Sequence, residues 1–261
     1  MTNIAVVSRD RHGSKAWRPP GGFAFASHEA AVPLVGAEFA KVALEMPIGF
    51  AEISGVYAPV ALMSPVAGRN FFIGPQGQWL GSYVPSALRA YPFALHRIDG
   101  GEEAVLCVDE DSGLLADNDG TAQSFFGADG SPSEAAKGIL DFLSQVERNR
   151  AVTLTGVAAL RDAGLFEPWP LSAKIDGHVT PLNGLFRINE AALNALDAAA
   201  FLLLRKAGAL PLAYLHFLSV AQLSVFERLN AAQQQLMRQR ENPVSLDEIF
   251  ASAESGILRF N

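Results

Sequence analysis

The stretch WLGSYVPSALRAYPF, from Trp79 to Phe93, gathers large aromatic side chains, two prolines and one arginine into a short length of chain. Pro85 can begin a short helix, because its fixed φ suits the first helical turn. Pro92 disfavours continuation of that helix, since the residue before a proline avoids the α region. Arg89 should project from the helix. The stretch therefore predicts a helix–turn corner.

Two hairpins are predicted on either side of this corner. The first runs from Asn70 to Leu80 around the turn Gly74–Gly77, and the second runs from Leu95 to Val108 around Asp99–Gly101. Glycine in these turns supplies the positive φ that hairpin connections need. The first half of the chain is therefore expected to be a mainly antiparallel meander. Two further strands are expected at Phe50–Ile53 and Val56–Met63.

The second half has the periodicity of helices. Ser131-Pro132-Ser133-Glu134 resembles a capping box, and apolar residues then recur at helical spacing to about Arg148. A shorter helix, Val157–Ala163, should end at Gly164. Later elements are expected to be a hairpin over Leu171–Ile188, a helix over Glu190–Lys206 capped by Asn189, and a long helix over Ala209–Arg240 with a solvated second half.

These elements predict an α+β fold, in which an N-terminal antiparallel β-rich half with hairpins packs on a C-terminal helical half containing one further hairpin. Residues 1–30, rich in Gly, Pro and basic side chains, are expected to be an irregular arm. Residues 31–240 should form a single domain, β-rich over 31–130 and mainly helical over 131–240. Residues 241–261 should be an extension with one short helix.

Composition excludes some function classes. The formal net charge is −7, and Lys and Arg are scattered, so nucleic-acid binding is not expected. No signal peptide is visible, and polar residues interrupt the most hydrophobic stretch, 207–223, so no transmembrane segment is expected. The single cysteine, Cys107, lies in an apolar run that predicts a core position, and a cytoplasmic location is expected. The oligomeric state stays open.

Candidate catalytic residues are few. His216 and Ser219 share one helical face, and Asp109 is a carboxylate to test beside them. A hydrogen-bonded core histidine is the favoured interpretation, because no nucleophile elbow is present. The five histidines show none of the HxH or HExxH spacings that bind metals, although His96 and Asp99 or Asp109 could converge across a hairpin. We therefore predict no metal and no cofactor.

The corner is the better candidate for a binding site, because flat aromatic faces beside a bidentate donor suit a peptide, a carboxylate or a partner's aromatic anchor. The alternative is a purely structural seam between the two halves, with the arginine held by backbone carbonyls. The candidate ligand- or partner-binding residues are Trp79, Tyr83, Arg89, Tyr91, Phe93 and Trp169.

The chain resembles the SapC family of bacterial proteins in ordered motifs that span roughly Val32 to Leu229. They are WLGSYVPSALRAYPFAL (79–95), AVLCVDEDSGLL (104–115), ILDFL (139–143), GLFEPWPL (164–171), NGLFRINEAALNAL (183–196) and AYLHFLSVAQL (213–223). The resemblance implies a link to surface-layer secretion, and to genes near TonB-dependent receptors, halogenase-like proteins and cupin-like oxygenases. It carries no established catalytic residues.

Two functions therefore stay open. The first is a non-enzymatic binding or accessory protein of a surface-layer, nutrient-uptake or halogenase-associated system, which recognises a peptide or protein partner through the corner or the C-terminal helix. The second is an enzyme that acts on peptide or amino-acid substrates with His216, Arg89 and a carboxylate such as Asp109. A pocket shared by Arg89 and His216 would favour the enzyme.

Overall fold

The computed structural model describes residues 3–53, 55–97, 104–175 and 178–241. The strands are β1 (Ile4–Val6), β2 (Lys15–Trp17), β3 (Ala31–Pro33), β4 (Ile48–Ile53), β5 (Val56–Leu62), β6 (Phe93–Arg97), β7 (Ala104–Asp109), β8 (Leu115–Asp117), β9 (Gln123–Ser124), β10 (Phe166–Pro168), β11 (Leu171–Ile175), β12 (His178–Leu182) and β13 (Leu185–Ile188). The helices are α1 (Arg9–His12), α2 (Phe39–Val42), α3 (Ser86–Arg89), α4 (Glu134–Asp162), α5 (Glu190–Asn194), α6 (Ala198–Lys206), α7 (Ala209–Val220) and α8 (Val225–Glu241).

An antiparallel sheet of five strands, in the order β10-β13-β4-β5-β3, is the centre of the fold. The hairpin of β4 and β5 pairs from Ile53 with Val56 to Ile48 with Ala61. Smaller antiparallel sheets have the orders β1-β7-β6, β8-β2-β9 and β11-β12. Strands dominate the first half and helices the second, so the α+β prediction is confirmed.

Two hydrophobic clusters hold these layers together. The larger one lies between the five-stranded sheet and the helices, and fully buried members include Phe39, Phe50 and Leu160. The smaller cluster contains Trp17, Phe93 and other side chains of the first sheets and the start of α4. Cys107 is buried, as predicted, and burial raises the pKa of its thiol.

The prediction of an irregular N-terminal arm is wrong. Strand β1 pairs with β7, and β2 lies between β8 and β9. Arg11 forms a bidentate ion pair with Glu110, and the buried ring of His12 has its Nε2 atom 3.2 Å from a Glu110 oxygen. The strands are three residues long, which is too short for alternation to show in the sequence, and their partners lie about a hundred residues away.

The two helices predicted over 131–163 are one continuous helix of 29 residues, α4. Ser133, rather than Ser131, is its N-cap, and its Oγ accepts a hydrogen bond of 3.1 Å from the amide of Ala136. Gly164 follows the helix with a φ of +67°, so the predicted end is confirmed. The intervening residues contain no proline, and the single Gly156 is tolerated because it packs closely against Leu212.

The structure divides the other long elements that the sequence predicts into shorter ones. Asn189 caps a helix as predicted, but that helix ends at Asn194, and α6 begins after its own N-cap, Asp197. The predicted hairpin over 171–188 comprises β11 and β12 plus a separate strand, β13, that joins β4 in the large sheet. The predicted hairpin over 70–80 contains one bridge, between Ile73 and Trp79.

The helical run from Ala209 to Arg238 is long and apolar enough to cross a membrane by length and composition alone, with a mean hydropathy of 1.5 over its most apolar window. Within the protein, 39% of that window is buried. The prediction that its second half is solvated is wrong in part, because Phe226, Leu229 and Gln233 are buried. Residues from 242 onward, with the predicted C-terminal helix, lie outside the described residues.

Candidate functional site

A buried carboxylate holds the corner in place. Glu38, which is 5% exposed, accepts hydrogen bonds from the Tyr83 hydroxyl (2.8 Å), the Ser86 amide (2.6 Å) and the Ser86 hydroxyl (2.7 Å). The short helix predicted from Pro85 is present as α3, but Pro85 is its N-cap and Ser86 its first helical residue. A carboxylate that accepts several donors compensates for its own burial. Glu38 therefore ties α3 to the segment that precedes α2.

A second glutamate, Glu45, fixes the other end of the corner. It accepts from the Ser82 amide at 2.8 Å, from the Tyr83 amide at 3.3 Å and from the Ser82 hydroxyl. The Trp79 indole donates to the Tyr83 carbonyl at 3.0 Å and stacks on Phe72. These contacts make the loop between Trp79 and α3 a fixed structural element. Neither glutamate was among the site residues predicted from the sequence.

Arg89 lies at the open side of the corner, with 45% of its side chain exposed. Its Nε donates to the Val84 carbonyl at 3.0 Å, and its guanidinium stands 5.1 Å from the centre of the Phe142 ring. One Nη atom is 3.8 Å from Glu38 and 3.4 Å from the Tyr83 hydroxyl. Burial, followed by the hydrogen bond to Glu38, raises the pKa of Tyr83 to about 12. Tyr83 is therefore a neutral donor at physiological pH.

The remaining candidate aromatics pack in different surroundings. Tyr91 stacks on Phe25 with ring centres 3.9 Å apart. Phe93 is buried in the smaller cluster. Trp169 is buried against His216, with ring centres 5.8 Å apart. The six residues do not form one continuous wall, because Phe93 and Trp169 belong to separate hydrophobic clusters.

His216 is a structural link between two strands. It is 1% exposed; its Nδ1 lies 2.8 Å from the Ile48 carbonyl, and its Nε2 accepts from the Ile188 amide at 3.2 Å. These partners require the neutral ring with the proton on Nδ1. Burial lowers the pKa of His216 to about 4. Ser219 accepts from the Ile48 amide at 2.9 Å and donates to the His216 carbonyl, so both side chains have their hydrogen bonds within the core.

The predicted catalytic groups do not share the pocket beside His216. A cleft of about 490 Å³ opens there, bordered by Glu167 and Arg187, which form an ion pair at 2.6 Å. Arg89 does not line this cleft. Asp109 belongs to β7 in another sheet, where it is buried and accepts from the Asp111 amide. This cleft is therefore not the common pocket of Arg89, His216 and Asp109 that the enzyme hypothesis requires.

An apolar groove of about 260 Å³ lies between α4 and the β4–β5 hairpin. Val146, Arg150 and Leu154 line one wall at helical spacing, and Phe142, which lies under Arg89, is one turn earlier on the same face. Ser86 and Ala87 of α3 complete the end nearest the corner. The guanidinium of Arg89 does not line the groove; it stands over Phe142, one helical turn from Val146.

Among the strands that the structure describes, none pairs with part of the edge of β5, the strand that borders this groove. Strand β3 covers β5 only over Val60–Leu62, and the last contact on that side is the hydrogen bond from Leu34 to the Pro59 carbonyl. Successive residues of a strand point their backbone groups to opposite sides. The amide and carbonyl of Tyr57 therefore point toward the open edge. At the hairpin tip, Ile53 is 61% exposed and Val56 is 50% exposed.

A second exposed apolar surface, defined by Leu202, Leu203, Tyr214 and Leu218, lies on α6 and α7. Across the described ranges, no group of three or more His, Cys, Asp and Glu side chains could hold a metal ion.

The comparison with protein families gives one match. The SapC family model covers residues 7–226, which is most of the chain. The match begins at residue 7, so it extends well ahead of the motifs that carry the resemblance, which begin near Val32. No curated protein and no solved structure matches the chain. The chain belongs to the SapC family.

Proposed function

We propose that the protein is a non-enzymatic accessory protein of the bacterial cytoplasm that binds an extended peptide segment of a partner protein. The observation that carries this proposal is the combination of an apolar groove with a strand edge that no described strand pairs with. An extended peptide that adds to a sheet edge gains affinity from main-chain hydrogen bonds and specificity from alternate side-chain pockets. The family resemblance supports a partner from a surface-layer, nutrient-uptake or halogenase-associated system.

The binding mode follows from the two walls of the groove. The peptide backbone pairs with Tyr57, and one apolar side chain of the peptide enters the cavity beside Leu154 and Ala58. Arg89 does not line the groove, but its guanidinium stands half exposed over Phe142, one helical turn from Val146. Arg89 is placed to receive a carbonyl or carboxylate of the peptide. In this arrangement, Arg89 recognises the ligand, while Trp79 and Tyr83 hold the corner.

A selection from a random peptide library tests the proposal. Peptides that bind the full chain are resynthesised, and their affinities are measured by fluorescence anisotropy. Ile53→Lys should weaken binding by about tenfold or more, because it places a charge at the apolar mouth of the groove. Ile53 is 61% exposed, so the variant should still fold. N-methylation of a single peptide amide that pairs with the edge should have a similar effect.

The matched control is Leu203→Lys, which changes an aliphatic side chain of similar exposure, 65%, on α6. It should leave affinity within about twofold. If Leu203→Lys abolishes binding and Ile53→Lys does not, the partner uses the surface on α6 and α7, and the groove proposal is wrong. Failure to select any peptide that competes for the groove would also contradict it.

A further inference from the structure

A further cavity lies where the loop 69–77 meets α8. Its volume is about 510 Å³, within the range of small-molecule sites. The wall on α8 consists of Asn230, Gln233 and Met237, which share one face at helical spacing. The opposite wall is formed by Arg69 and by backbone around Gly74. This cavity is separate from the peptide groove.

Arg69 brings a positive charge to this cavity, and the residues that the structure describes give it no carboxylate partner. One of its Nη atoms donates to Gln233 Oε1 at 3.0 Å and to Asn230 Oδ1 at 3.4 Å, and both partners are neutral amides. Among the ion pairs of the described residues, none includes Arg69. Its guanidinium also stands 4.6 Å from the centre of the Phe71 ring. The remaining guanidinium donors, Nε and the other Nη, make no described hydrogen bond.

Gln233 fixes the orientation of this guanidinium. The side chain is 4% exposed, and its Nε2 donates to the carbonyls of Ile73 (2.6 Å) and Phe71 (3.1 Å). Because the amide nitrogen is committed to these carbonyls, the amide oxygen must face Arg69. The arginine is therefore held in place by its environment before any ligand binds, which reduces the entropy cost of binding.

We propose that this cavity binds a small organic acid, whose carboxylate is received by Arg69. Arginine presents parallel N–H donors that match the two oxygens of a carboxylate. The apolar atoms of Ile73, Pro75 and Met237 line the same cavity and would contact a short hydrocarbon portion of the ligand. A partly exposed cation that a buried amide pre-orients, and that forms no ion pair within the described part of the chain, carries this assignment. It does not depend on the peptide proposal.

Ligand titrations followed by amide NMR shifts of the full chain test the assignment, with hexanoate, hexanamide and inorganic phosphate as probes at constant ionic strength. Hexanoate should bind about tenfold more tightly than its neutral analogue hexanamide, because the hydrogen bonds to the guanidinium become charge-assisted. The largest shifts should fall on the backbone amides around Arg69 and Gln233. Equal binding of hexanoate and hexanamide, or binding of phosphate without hexanoate, would overturn the proposal.

Two substitutions in the cavity, compared with one control substitution outside it, test where hexanoate binds. Arg69→Gln should weaken hexanoate binding by about tenfold or more, while Arg205→Gln, an exposed arginine on α6, should change it by less than about twofold. Met237→Glu places a competing carboxylate at the cavity rim, where the native side chain is 46% exposed, and should weaken binding similarly without loss of folding. Undiminished binding by Arg69→Gln, or by Met237→Glu if the first variant does not fold, would refute the assignment.

Discussion

Replacing Glu38 with alanine should lower the free energy of unfolding by roughly 3–5 kcal/mol, because the donors to its carboxylate, two of them on the buried Ser86, have no other acceptor among the described residues. The Ser86 amide, the Ser86 hydroxyl and the Tyr83 hydroxyl all donate to this carboxylate within 2.8 Å. The loss would be measured as a shift of the urea unfolding midpoint at constant slope.

The conservative variant Glu38→Gln separates the hydrogen bonds from the cavity that alanine leaves. One amide oxygen can still accept from Tyr83 and from the Ser86 amide, so this variant should lose less stability than alanine. Glu45→Ala should also lose less, about 1–2 kcal/mol, since Glu45 and its partner Ser82 are less buried than Glu38 and Ser86. Equal losses in Glu38→Ala and Glu45→Ala would contradict the role of Glu38 as the main anchor of the corner.

Replacing His216 with alanine should cost roughly 3–5 kcal/mol at pH 7, because it removes a buried ring and leaves groups on β4 and β13 unpaired. His216 also makes stability depend on pH. Its pKa is lowered from 6.5 to about 4 in the folded protein. The unfolded chain therefore takes up a proton between these values while the folded protein does not, so stability should fall by about 3 kcal/mol as pH drops from 6.5 to 4.

His216→Gln isolates this pH effect. A glutamine can donate to the Ile48 carbonyl and accept from the Ile188 amide without titrating, so it should retain more stability than alanine and flatten the pH dependence between 6.5 and 4. The control His28→Gln changes an exposed histidine and should keep the slope of the wild type. The same slope in His216→Gln as in the wild type would show that another group is responsible.

Local signals predicted the elements that have clear chemical boundaries. Pro85 and Pro92 mark the corner, and Asn189 and Gly164 mark helix ends, because each imposes its effect on neighbouring residues. The hairpin of β6 and β7 was also predicted from its apolar runs, although its turn, which includes Asp99, lies outside the described residues.

Long-range pairings could not be predicted in the same way. The pairing of β13 with β4 and of β1 with β7 joins segments more than a hundred residues apart, and short strands carry little alternation. The carboxylate of Glu38 was missed for a related reason, because its donors lie nearly fifty residues away. Its one local signal is a single charge within the apolar run VPLVGAEFA.

The candidate site was predicted in part. His216 was interpreted from the sequence as a hydrogen-bonded core histidine, since a histidine on an apolar helix must find internal partners, and its ring has them at both nitrogens. Ser219 was named only as a candidate catalytic residue, and it too has its hydrogen bonds within the core. The groove itself was not foreseen, because its walls come from α4, the β4–β5 hairpin and the corner together. The participation of the corner in binding stays a prediction. Arg89 is the corner residue that would contact the ligand.

The central claim is that a peptide adds to the open edge of β5. Amide hydrogen exchange of Tyr57, measured by NMR with and without a selected peptide, tests this claim most directly. We expect rapid exchange in the free protein and slowing by about tenfold or more in the complex, because the amide then donates to the peptide backbone. Exchange at Tyr57 that is unchanged by a saturating peptide, with protection elsewhere on the surface, would contradict it.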